Sequence, residues 1–187
     1  MKSIILVLLG VSILIVNSAC SSTKDATTNS TLQISSSSET TSSNLQITIP
    51  KGWTEIKDNF EQLFDIWLVN DSKNAAIVFV PIYISENVDI ADEQKKIELI
   101  KDIVINKRKN EVNTFEIIDE NFEGGMYNMH SSKLNVDDKI QNSVIFGKGK
   151  YFFECLAYFD NGYSPSTDEL NKLAETQFEI LKDLQIK

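Results

Sequence analysis

The sequence predicts an α+β domain, a mainly antiparallel sheet covered by two helices, and three observations carry that expectation. Apolar residues alternate with polar ones, or run in β-branched and aromatic stretches, over several segments parted by turn residues. Two stretches, one in mid-chain and one near the C terminus, switch to helical spacing. The order is strands, helix, meander, helix, without the strict strand-helix alternation of a parallel sheet.

The chain opens Met1-Lys2-Ser3, then has a stretch of 13 residues from Ile4 to Val16 that is apolar but for Ser12, and reaches Asn17-Ser18-Ala19-Cys20. A short basic start, an apolar segment of this length and a small residue at Ala19 are the parts of a secretory signal, so residues 1–19 are expected to be a signal peptide outside the fold. At about 1.5 Å per helical residue the run reaches roughly 20 Å, short of the roughly 30 Å hydrocarbon core, which makes it a poor permanent span. Cys20 directly after small residues resembles a bacterial lipoprotein signal, in which the cysteine becomes the acylated first residue. Asn17 stands where such signals usually carry Leu, and plain cleavage near Ala19 is the alternative. From Ser21 to Asn44 the chain has 24 residues, 15 of them Ser or Thr, with Leu32 and Ile34 the only large apolar groups. Such a segment cannot bury enough surface to offset its ordering entropy, so residues 20–44 read as a flexible, lipid-anchored tether. Its span as a coil is roughly 27 Å, enough to hold a domain clear of lipid head groups. The other reading is a processed leader in a soluble secreted protein.

Residues 45–187 are expected to form one globular domain. Leu45, Ile47 and Ile49 alternate with polar neighbours as in a half-buried strand, and Pro50-Lys51-Gly52 makes a turn before Trp53. Phe64 to Val69 and Ala75 to Ile84 form a hairpin around Asn70 to Asn74, with Pro81 marking an edge position or a bulge. From Asp92 to Lys109, Ile97, Ile100, Ile103 and Val104, with Leu99 nearby, give an amphipathic helix that Asp89 or Asp92 can cap. Phe115 to Phe122 returns to strand and Gly124-Gly125 breaks it. Met126 to Val136, Lys139 to Phe146 and Tyr151 to Phe159 are three meander strands joined at Asp137-Asp138 and Gly147-Lys148-Gly149. After the turn Asp160-Asn161-Gly162, Ser166 and Glu169 have the spacing of a capping box. Leu170, Leu173, Ala174, Phe178 and Leu181 stripe the last helix, and Leu184-Gln185-Ile186 can close the chain as an edge strand.

An exported domain opening Leu45-Gln46-Ile47-Thr48-Ile49-Pro50-Lys51-Gly52-Trp53 resembles the PsbP-like superfamily, which includes many bacterial lipoproteins of the DcrB type. Those domains open with an extended segment running into Pro-x-Gly-Trp, continue with two hydrophobic strands, a helix, a meander and a final helix, and often place a glycine before the meander, where Gly124-Gly125 sits. The resemblance implies an α/β/α sandwich and no enzyme chemistry, since most members are adaptors, assembly factors or uncharacterised.

Charge and cysteine content narrow the function. The chain carries 18 basic and 27 acidic residues, a net charge of −9. Without Lys2 the count is 17 against 27, or −10. Such a surface repels phosphate backbones and anionic lipid heads, so nucleic acid is excluded as a partner and membrane attachment has to come from a lipid on Cys20. With Cys20 acylated, Cys155 has no disulfide partner, and its setting among Phe152, Phe153 and Leu156 reads as a buried thiol.

No constellation specifies a reaction. His130 is the single histidine, alternation could place it on either face of its strand, and the adjacent Ser131 and Ser132 must point to opposite faces. One histidine and one free cysteine are a poor start for zinc, and neither Asp137-Asp138 nor Asp160-Asn161-Gly162 has the ligand spacing of a calcium loop. No metal and no cofactor are expected. Trp53 and Trp67 are the candidates for partner contact, since tryptophan combines a large contact area with one donor. The competing reading puts both in the core, Trp67 sharing the inward phase of its strand with Asp65 and Val69. The function that follows is a non-enzymatic, membrane-anchored lipoprotein of the bacterial cell envelope, a binding or assembly domain for an unknown protein partner. A carrier of a small apolar ligand is the alternative, and a hydrolase ranks last.

Overall fold

The computed structural model describes residues 38–41, 44–57, 63–84, 92–124 and 126–187. Asn17, Cys20, Asp89 and Gly125, on which the leader, anchor, capping and strand-break expectations partly rest, lie outside the described residues.

The strands form as the alternation demands. β1 (Ser38–Thr41) pairs antiparallel with β2 (Leu45–Ile49), whose Leu45, Ile47 and Ile49 point into the core. Pro50 to Trp53 is a tight turn in which the Trp53 amide donates to the Pro50 carbonyl at 3.1 Å; Gly52 supplies the φ of +83° required there. A two-residue strand β3 (Thr54–Glu55) then joins the hairpin of β4 (Ile66–Asn70) and β5 (Ala75–Ile82). Pro81 sits where β5 has run past its last β4 partner, at Phe79, so its missing N–H falls on an edge without a strand partner among the described residues and no bulge is needed.

Helix α1 (Glu93–Glu111) begins at Asp92, whose carboxylate accepts from the Gln94 and Lys95 amides. At about 1.5 Å per residue its 19 residues span roughly 28 Å, more than the roughly 19 Å of four strand spacings from β5 to the far edge. It delivers the chain to β6 (Phe115–Glu123), and β7 (Asn128–Val136), β8 (Lys139–Lys148) and β9 (Tyr151–Phe159) return as a meander. The seven-stranded sheet has the order β3-β4-β5-β9-β8-β7-β6, antiparallel throughout. The β7–β8 turn places Asp137 and Asp138 at φ of 47° and 63°, the left-handed pair that matches strand twist. Asp137 also accepts from the Asn113 and Thr114 amides at 3.0 and 2.9 Å, pinning the entry into β6.

Helix α2 (Thr167–Lys182) starts with the expected capping box, Ser166 and Glu169 each bonding the other's backbone amide. β10 (Gln185–Ile186) then pairs with β2, so β1, β2 and β10 make a separate three-stranded sheet. The main core lies between the large sheet and α2 with the small sheet; it holds Leu45, Ile47, Trp53, Leu68, Phe79, Phe146, Phe153 and Leu181. On the opposite face α1 packs over β7 and β8, burying Ile97, Ile100 and Ile105 against Ile145, Phe152 and Leu134. The result is a mainly antiparallel α/β/α sandwich.

Several expectations need correction. Ser38–Thr41, inside the segment composition assigned to the tether, is a strand because β2 offers it a backbone ladder. Leu45–Ile49 leaves the large sheet for the small one. α1 is rotated so that Ile97, Ile100, Val104 and Ile105 face the sheet, while Leu99 and Ile103 are exposed. The last meander turn is Gly149-Lys150, and Gly147 stays in β8 because Phe152 comes too close for a side chain there. Trp67 is out of phase with its expected position: Ile66, Leu68 and Asn70 take the buried phase of β4, and Trp67 and Val69 lie on the α1 side.

Candidate functional site

The described residues present three places where chemistry or recognition could sit. The first is a polar cluster beneath α1. Strand pairing sets His130 beside Ile145 and Phe122, and sets Ile145 beside Glu154, so these residues share the α1 face. Glu154 is buried and accepts two hydrogen bonds from Arg108 Nη2, both at 2.8 Å, and one from the Ser143 hydroxyl at 2.5 Å. A buried carboxylate of this kind is tolerable only because it is fully engaged. Nearby, Lys101 reaches Asp102 at 3.0 Å and Glu120 at 3.7 Å, which ties α1 to β6.

His130 is 8% exposed and Ser132 5%, with Ser132 Oγ 3.4 Å from His130 Nδ1. Ser131 points to the other face and donates to the Asn121 carbonyl. Burial, and then the positive charge of Lys101, hold the imidazole below its ordinary pKa, so the neutral ring is favoured. The pair lies on the sheet face that α1 covers and is largely shielded from solvent. Cys155 is free and fully buried, and burial pushes its thiol up to about 12. Among the described residues no group of three or more His, Cys, Asp or Glu converges as metal ligands would.

The second place is around the tryptophans. Trp53 is 8% exposed and packs in the main core, where it also lines a cleft of about 170 Å³ with Phe159, Leu173 and Thr176. Trp67 lies on the opposite face of the sheet, half-buried, with Phe64 edge-on at 5.7 Å. Its indole Nε1 is buried without a hydrogen-bond partner among the described residues. The two side chains therefore do not converge on one site.

The third is the outer edge of β6 and the cleft at its end, neither of which was singled out from the sequence. Glu116, Asp119, Glu120 and Glu123 are exposed along this strand, together with Ile118 (46% exposed) and Phe122 (36%). A cleft of about 230 Å³ follows, lined by Glu123, Met126, Tyr127, Met129, Phe178 and Leu181. The acidic residues were legible as a pattern, but that β6 ends up at the sheet edge depends on non-local pairing. Gln177 was also missed. It is fully buried on α2 and donates to the carbonyls of Cys155 (2.8 Å) and Asn142 (3.3 Å), locking the helix to the sheet.

No helix among the described residues is long and apolar enough to cross a membrane. No protein-family model matches the chain, and no curated protein matches it by sequence. Solved structures do. The solution structure of cyanobacterial PsbP (CyanoP) from Synechocystis sp. PCC 6803 superposes with a TM-score of 0.56 at 8% identity, covering 86% of this chain and 98% of that one. LpqN of Mycobacterium tuberculosis, described as involved in cell envelope biogenesis, gives 0.46 at 16% identity, over 82% and 87% of the two chains. A Bacteroides thetaiotaomicron protein gives 0.40 at 17% identity, over 76% and 45%. The CyanoP likeness covers most of both chains, and it establishes for this chain a PsbP-like fold.

Proposed function

We propose that the chain is a lipoprotein anchored through Cys20 on the extracytoplasmic side of a bacterial membrane, and that its domain is a non-enzymatic binding or assembly module for a protein partner. The observation that carries this reading is the leader ending in Ala19-Cys20 joined to a domain of strongly acidic charge. An acidic domain is repelled by anionic lipid, so stable attachment calls for a covalent anchor, and a single acyl chain would be only marginal. The PsbP-like fold is compatible with a binding role. The burial of His130 and Ser132 under α1 favours binding over hydrolysis. The carrier alternative needs a cavity of roughly 300 Å³ or more, and the clefts beside Met126 and Trp53 are about 230 and 170 Å³. Mass spectrometry of the mature N terminus tests the anchor. The expected result is an acylated Cys20 at the first position, with a Cys20→Ala variant released from the membrane fraction. An unmodified Cys20 or a chain beginning at Ser21 would overturn it in favour of a secreted soluble protein.

A further inference from the structure

The fold treats its sheet edges unequally. On the small sheet, the Ile186 amide on the outer side of β10 is taken up by the Tyr127 hydroxyl at 3.1 Å, which closes that edge. On the large sheet, the edge strand β3 has only two residues. β6, with nine residues, pairs only with β7 among the described residues and leaves its outer row of N–H and C=O groups available. A bulge between Ile117 and Asp119 interrupts it, and from Asp119 to Glu123 the ladder is unbroken.

From this edge we infer a docking site: Asp119–Glu123 receives an extended basic segment of a protein partner as an added strand, and an apolar side chain of that segment enters the adjoining cleft. The inference deepens the protein-binding reading above and rests on it. Charge complementarity selects the occupant. Asp119 and Glu123 lie on one face of β6 and Glu120 on the other, so a strand with basic residues would meet opposite charge on both sides. A second copy of β6 would set carboxylate against carboxylate, so the same residues that invite a basic strand reject self-pairing. Three cations already lie near these carboxylates, Lys101 at 3.7 Å from Glu120, Lys133 opposite Asp119 on β7 and Lys182 in the cleft with Glu123, so a basic strand would add to a partly balanced row and its charges would face the outer side of β6. The cleft continues the strand without a gap, since Glu123 belongs to both, and its apolar lining includes Met126, 81% exposed on a flexible unbranched side chain. Backbone hydrogen bonds would supply affinity, and the charges and the cleft specificity.

The test uses the mature protein and a synthetic peptide alternating lysine and valine around a central phenylalanine, followed by amide NMR and hydrogen exchange. The expected result is shifts and slowed exchange confined to 119–123 and the cleft, reversed by high salt. An otherwise identical peptide with glutamate for lysine should not bind. Asp119→Lys with Glu123→Lys should weaken binding roughly tenfold while the far-UV spectrum is unchanged. Met126→Asp should discriminate against the phenylalanine peptide more than against its alanine version. Perturbations spread evenly over the acidic surface, or binding indifferent to the double charge reversal, would overturn the assignment. A native partner captured equally well by the charge-reversed protein would also overturn it while leaving the protein-binding reading standing. Failure to find any protein partner would count against that reading itself.

Discussion

Glu169 shows how one residue serves both a helix and the pH range of the fold. The Tyr163 hydroxyl donates to it at 2.6 Å, and the amide and hydroxyl of Ser166 at 2.8 and 2.7 Å. These donors, Tyr163 foremost, hold its carboxyl down at about 2, against an ordinary value of 4.5. A carboxylate depressed in the folded state contributes stability that is complete above about 4.5 and is lost as pH falls toward about 2. Glu169→Gln should therefore lower the unfolding midpoint at neutral pH, with the gap to wild type closing across that window. Parallel midpoint curves from pH 7 down to 2 would refute the role. The cap itself was legible from Ser166 and Glu169, because capping is a local pattern four residues long. The Tyr163 contribution was not, since it depends on how the Asp160 to Gly162 turn aims the ring. Trp67 failed for a related reason. A strand between two packed layers has apolar residues on both faces, so alternation could not say which face the main core would claim.

At the level of elements, β8 carries a constraint invisible in its hydropathy. A Cβ on Gly147 would lie 2.3 Å from Phe152 Cδ1 and 2.5 Å from the Tyr151 carbonyl, both on the next strand of the hairpin. Gly147→Ala should destabilise the domain by about 2 kcal/mol through this clash, read as a lowered denaturant midpoint with an unchanged slope. A variant as stable as wild type would mean that β9 yields locally. The meander was readable because Asp137-Asp138 and the glycines punctuate it at short range. The rotation of α1 was not. Leu99 and Ile103 put apolar residues on its outer side, and what decides the buried side is the contact of Ile97, Ile100 and Ile105 with β7, β8 and β9. The small sheet was hidden for the same kind of reason: β1 and the two-residue β10 become strands only because β2 lies between them.

For the whole molecule, the mainly antiparallel sheet covered by two helices that the order of strands, helix, meander and helix predicts is the one formed, and its layers are those of the α/β/α sandwich that the PsbP-like resemblance implies. The inferred docking edge was less legible, because an edge exists only once all seven strands have found their neighbours. The domain is acidic, its lone histidine is buried beneath α1, and its longest edge strand is negatively charged and pairs on one side only among the described residues, features that fit the binding role proposed above. The use of such an edge depends on where the domain is held, and so on the anchor proposed at Cys20. The most direct measurement is native mass spectrometry of the full-length chain isolated with its anchor from its own membranes. The expected result is an acylated chain in complex with a protein that dissociates as salt is raised, and loss of the complex from membranes in Cys20→Ala. A chain recovered without a protein partner and retaining a small apolar molecule would contradict it.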